Sequence, residues 1–183
     1  KTVIAMLTSA IIVGNGSQVA IMAPTEILAE QHYDSFMNYC EKLDISCELL
    51  IGNISTKDKK QLYDNLENGK IQIIVGTHAL IQEKVIFKNL ELVVVDEQHR
   101  FGVEQRKKLI TKGQHVNILA MTATPIPRTL TFAIHGDMDL SWIDELPKDR
   151  IPIKTTVIDC KKIDAVYSKM KNEMDKGHFC FIV

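Results

Sequence analysis

The chain has 183 residues, enough for one domain, or for one domain and part of another. Hydrophobic residues make up 45% and charged residues 25%, the average of soluble globular proteins, which excludes disorder, a collagen repeat and a disulfide scaffold. Lys and Arg number 22 against 23 Asp and Glu, a formal net charge of -1, so any grip on nucleic acid must come from local patches.

The apolar run Val3–Val13 predicts a mostly buried helix, closed by Gly14-Asn15-Gly16. No small-x-small cleavage site follows it, and no run approaches the ~20 apolar residues of a membrane span. Val19–Ala23 predicts a short strand stopped by Pro24. Thr25 is placed to cap the next helix, with Glu26 in its positive first turn. There Tyr33, Phe36, Met37 and Cys40 recur at i, i+3, i+4 and i+7, the stripe of a helix laid on a sheet. Ser46–Ile51 is the next predicted strand. Ser55 and Asp58 suggest a capping box, Leu62 and Leu66 an inward face, and Gly69 the helix end. Ile71–Val75 predicts a strand that runs into Gly76-Thr77-His78. Leu92–Val95 is apolar throughout and ends at Asp96-Glu97, and Asn117–Met121 ends at Thr122-Ala123-Thr124-Pro125. Strands without alternation are buried on both faces. The rhythm predicts a doubly wound, mostly parallel α/β sheet with helices on both faces.

Near residue 146 the texture changes. Residues 147–152 carry two prolines and read as a linker. Beyond it a strand is predicted at Thr155–Ile158, then a helix with Ile163, Val166, Tyr167, Met170 and Met174 on one face and Gly177 at its end. A last apolar run, Phe179–Val183, reads as a further strand. The expected division is a first domain over 1–146, the linker, and the start of a second domain over 153–183. Of four cysteines none forms a CxxC pair. Cys40 and Cys180 read as small core residues, and free thiols in a cytoplasm are expected.

In open parallel sheets ligands bind beyond the carboxyl ends of the strands. Three strand ends carry polar groups. Asp96 directly after an apolar strand is placed to hold Mg²⁺ in a nucleotide enzyme, and Glu97 to polarise an attacking water. The plain alternative is an acidic exit from a strand. Thr122-Ala123-Thr124 could bond to that acidic loop and report its state, or Thr124 could simply cap a helix with Pro125 at its first position. Gly76-Thr77-His78 reads equally as a turn into a short helix.

Together with Pro24-Thr25-Glu26, the order and spacing of these sites resemble the first motor domain of the superfamily 2 helicases. DEQH at 96–99 is similar to their Walker B motif, TAT at 122–124 to motif III, PTEILA to motif Ia and GTHAL to motif Ib. The longer runs APTEILAEQH, GTHALIQ, VVDEQHRFGVEQR, MTATPIPRTL and IDELP resemble the bacterial branch-migration helicases. Transcription-repair coupling factors carry a similar motor.

That resemblance implies a RecA-like fold of the P-loop NTPase superfamily, with ATP and Mg²⁺ as cofactors. It implies that Lys1 and Thr2 are the last two residues of a Walker A motif, Lys1 reaching the β- and γ-phosphates and Thr2 holding Mg²⁺ with Asp96. Glu97 would be the catalytic base, and Gln98 and His99 would couple the γ-phosphate to Thr122, Ala123 and Thr124. Pro24, Thr25, Gly76, Thr77, His78 and Arg128 would meet a DNA strand. The lysines of the basic stretch (Arg100, Arg106, Lys107, Lys108, Lys112) read equally as a solvated helix face. The implied parent is a cytoplasmic bacterial enzyme acting on stalled forks and Holliday junctions, without a membrane, through this domain, a second RecA-like domain and a wedge domain. The Walker A glycines and the strand before them lie outside this chain, so the chain alone is expected to have no useful ATPase activity. The rival readings are a coupling-factor motor and a RecA-like nucleic-acid-binding module without hydrolysis.

Overall fold

The computed structural model describes residues 1–52, 54–97, 100–123, 139–145 and 151–182, with the backbone alone at 103, 106 and 160. The chain divides into two compact units, Lys1–Ile134 and His135–Val183.

In the first unit, five parallel strands form one sheet among the described residues, in the order β2-β3-β1-β4-β5. The strands are β1 (Gln18–Met22), β2 (Cys47–Leu50), β3 (Ile73–Gly76), β4 (Leu90–Asp96) and β5 (Asn117–Met121). Between them run α1 (Thr2–Gly14), α2 (Glu26–Leu43), α3 (Thr56–Glu67), a 3₁₀ turn (His78–Ile81) and α4 (Val103–Ile110). This is the doubly wound α/β architecture that the periodicity predicts. The sheet's burial follows from its sequence. Every residue of β1 and β3 is buried. Along β1, Val19 and Ile21 join one core cluster with α1 and α2, while Ala20 and Met22 join the other with α3 and Leu109. Burying each such large apolar side chain contributes about 1.5–3 kcal/mol relative to exposure.

Two glycines are required by geometry. Gly69 ends α3 with a φ of 74°, where a side chain is strained. A Cβ on Gly76 would stand 2.5 Å from the Leu50 carbonyl oxygen, a backbone atom of the neighbouring strand. The cap of α2 forms as expected, with Thr25 Oγ1 accepting from Leu28 N at 3.3 Å. At α3, Ser55 Oγ accepts from Asp58 N at 3.2 Å and donates to Asp58 Oδ2 at 2.6 Å. The carboxylate thus meets the capping hydroxyl.

Three expectations need correction. Helix α1 is not mostly buried: Ala5, Ser9 and Val13 face inward, while Val3, Ile4, Leu7 and Ile11 are each more than half exposed. The inward stripe at i, i+4 and i+8 is narrow and holds two small residues, Ala5 and Ser9, with Val13. The apolar residues beside that stripe then point away from it. In the second unit, Thr155–Ile158 and 179–182 form no strand among the described residues. Val157 is 97% exposed and Phe181 86%, and an extended segment without a ladder partner gains no strand hydrogen bonds. The expected helix does form, as α5 (Ile163–Asp175) with Gly177 beyond it, but none of its residues is buried. Cys40 lies in the core, whereas Cys180 is only half-buried.

Candidate nucleotide site

From β1 the chain crosses to β2 and returns to β3 on one side, whereas from β4 it goes on to β5 on the other. The β1/β4 boundary is therefore a point where strand order reverses, and ligands in such sheets bind at its carboxyl end. Asp96 is the last residue of β4, and its partner in the ladder is Met121, the last of β5. Register alone therefore sets Asp96 beside the start of the Thr122 loop.

The Asp96 carboxylate is tied at both oxygens. His32 Nε2, on α2, donates to Oδ2 at 2.8 Å. The Glu97 amide donates to Oδ1 at 3.0 Å. The His32 hydrogen bond, the His32 and Lys1 charges and the Glu97 amide hold the Asp96 carboxyl below the usual carboxylate range, against the opposing effect of burial. Lys1 Nζ donates to the Thr122 carbonyl. Glu97 has a φ of 48°, the left-handed region that costs a non-glycine residue energy and is concentrated at functional sites. Thr122 Oγ1 stands 3.5 Å from Glu97 Oε2 as a donor. One end of the sheet thus gathers Lys1, Asp96, Glu97 and Thr122.

The other expected residues fall as follows. Thr2 opens α1, directly after Lys1, which is the helix N-cap. Backbone amides at such a helix start suit phosphate. Pro24 is half-buried and Thr25 exposed at the end of β1, and Gly76 and Thr77 are buried at the end of β3, with His78 exposed. Glu26 Oε1 accepts from Gly52 N at 2.7 Å, which joins the β1 and β2 exits. Ala123 follows Thr122 in the same loop. Gln98, His99, Thr124 and Arg128 lie outside the described residues, as does the Arg106 side chain. Arg100, Lys107 and Lys108 are exposed. Lys112 instead donates to the carbonyls of Gln82 and Val85 at 2.8 and 2.7 Å, so it anchors a loop.

His32 is the contributor that sequence reasoning passed over. Its signal was legible: it lies three residues after buried Ala29 and four before buried Phe36, a polar residue within the inward stripe of α2. No group of three or more carboxylate, His or Cys side chains gathers into a metal cage among the described residues. An ionised carboxylate at a strand end still fits Mg²⁺, which takes one or two carboxylates and completes its shell with water and phosphate.

The DEAD/DEAH box helicase model matches residues 1–132. The ATP-dependent DNA helicase RecG of Aquifex aeolicus is 47% identical over 185 aligned residues, covering all of this chain and 23% of that protein. The Bacillus subtilis RecG is 48% identical, covering all of this chain and 27% of its own length. A solved structure of RecG bound to a three-way DNA junction superposes with a TM-score of 0.80 at 42% identity, covering 96% of this chain and 23% of that one. The chain therefore spans about a quarter of the length of the relatives it matches.

Proposed function

This chain belongs to the DEAD/DEAH box helicase family, and from that premise we propose that it is the ATP-binding half of a DNA motor of the RecG type. In this reading the parent hydrolyses ATP to move on DNA and remodels branched substrates, forks and Holliday junctions, in the bacterial cytoplasm. The domain division is 1–146 for the first RecA-like domain, 147–152 for a linker and 153–183 for the start of the second. The second RecA-like domain and a wedge domain are its intramolecular partners. The observation that carries the proposal is the gathering of Lys1, Asp96, Glu97 and Thr122 at the carboxyl ends of β4 and β5.

Each side chain has a task that its chemistry suits. Lys1 supplies a point charge for terminal phosphates. Asp96, ionised and oriented, with Thr2 at the helix start, holds the cation. Glu97 accepts a proton from the attacking water. Thr122 reads the position of Glu97 through its hydroxyl, and Gln98, His99 and Thr124 extend that link. Mg²⁺ bound with ATP would neutralise the charge that develops on the phosphates. Pro24, Thr25, Gly76, Thr77, His78 and Arg128 form the DNA-facing set, with Thr25 and His78 its exposed members among the described residues. Loop amides and hydroxyls hold phosphate backbone without reading sequence.

The test is DNA-stimulated ATP hydrolysis and junction unwinding by the whole gene product. Asp96→Asn is expected to abolish both while the protein still binds forked DNA in a gel-shift assay. Hydrolysis at the wild-type rate in that variant would sink the reading.

A further inference from the structure

We propose that His32 is a positioning residue that holds the Asp96 carboxylate in the orientation in which it meets a divalent cation. The proposal rests on the reading of Asp96 as a metal-holding group. His32 ends the run APTEILAEQH, in which Thr25 caps α2 and Ala23 and Ala29 are buried in the core. Helix α2 packs on β2 and β3, and buried Ala29 and Phe36 flank His32 on its inward face. The imidazole is itself 12% exposed, and it crosses from α2 to the end of β4 to reach Asp96, 64 residues later in the chain. An ionised carboxylate only accepts, so Nε2 carries the hydrogen of the 2.8 Å bond.

The Glu97 amide holds the other oxygen at 3.0 Å. With both oxygens held, rotation of the carboxylate is suppressed, yet each keeps a second lone-pair direction for a metal or its water. Orientation matters for Mg²⁺ because it demands near-octahedral geometry. Partners that orient a ligating group are worth about 10–100-fold in metal affinity.

The test uses the whole gene product and a fluorescent, non-hydrolysable ATP analogue, titrated in EDTA and then with rising Mg²⁺. His32→Phe keeps the ring volume and removes the donor, whereas His32→Gln keeps an N–H at similar reach. His32→Phe is expected to bind the analogue like wild type in EDTA, and to need about 10–100-fold more Mg²⁺ for tight binding, with His32→Gln within about three-fold of wild type. A wild-type Mg²⁺ midpoint in His32→Phe overturns the proposal. An equal shift in both variants also overturns it, because packing alone would then explain the effect. Asp96→Asn runs beside them. If it loses the Mg²⁺ response while His32→Phe keeps a wild-type midpoint, only the His32 assignment falls. If Asp96→Asn responds to Mg²⁺ like wild type, the reading of the site falls, and the His32 proposal with it.

Discussion

The two ends of the sheet treat a polar side chain in opposite ways. At the amino end Gln18 is 3% exposed, and its amide is saturated. Its Nε2 donates to the Leu66 and Ile71 carbonyls at 2.8 and 2.7 Å. Its Oε1 accepts from the amides of Lys88 and Asn89 at 2.8 and 3.0 Å. That is the full capacity of a side-chain amide. At the carboxyl end Asp96 accepts two bonds among the described residues, while an ionised carboxylate offers about four acceptor sites. The backbone beside it is strained at Glu97. A saturated group has nothing left to bind with, so it stabilises the fold. An ionised, oriented and incompletely used group next to strained backbone is fit for a ligand.

This contrast is broken most directly at Glu97. In the whole gene product Glu97→Gln should lower DNA-stimulated ATP turnover by about 10²–10⁴-fold, the share of a general base, equal to about 3–5 kcal/mol of barrier. Its melting temperature should stay near the wild-type value, because Gln keeps the side-chain length and an oxygen that can accept from Thr122 Oγ1. A variant that melted early with normal turnover would place Glu97 with the structural end. Gln18→Leu is the mirror experiment. It leaves two amides and two carbonyls to find new partners, at about 1–3 kcal/mol for each group that stays buried and unpaired. Chemical denaturation should show a loss of about 3 kcal/mol or more. Nucleotide affinity should be unchanged under conditions where the protein remains folded.

The saturated end and the poised end differed in how far the sequence revealed them. The five strands of the first unit, their parallel arrangement and the caps at Thr25 and Ser55 were legible because period and capping chemistry are local, whereas the two strands expected in the second unit did not form among the described residues. Asp96, Glu97 and Thr122 stood out because each interrupts an apolar strand at its end. Gln18 and His32 did not, because their partners lie 48 to 71 residues away in the chain. A polar residue inside a buried stripe marks such a group but does not name its partner. Helix α1 misled for a different reason. Uniform hydrophobicity cannot say which face packs, and the face that does pack carries Ala5, Ser9 and Val13 rather than the larger Ile4, Leu7 and Ile11.

Thr25 tests whether the poised end is also held by ordinary helix physics. Its hydroxyl caps α2, so Thr25→Ala should cost about 1 kcal/mol of stability. If Thr25 also meets a DNA backbone, affinity for forked DNA should fall further than that loss explains. Thr25→Ser restores the hydroxyl and should recover both.

The smallest expected effect separates two lysines at and just beyond α4. Lys112 has a lowered pKa from burial, with Glu83 acting against it, and both of its observed bonds are to loop carbonyls. Lys107 stands 3.7 Å from Glu104 with both side chains largely exposed. Such a pair is worth at most about 1 kcal/mol, so Lys107→Ala should shift stability by less than about 0.5 kcal/mol. What it changes is binding. If this helix face follows the phosphate backbone, log affinity against log salt should lose about one unit of slope, uniformly across DNA sequences. If the slope stays unchanged, α4 is a solvated face, and the DNA grip belongs to the loops at the carboxyl ends of β1 and β3.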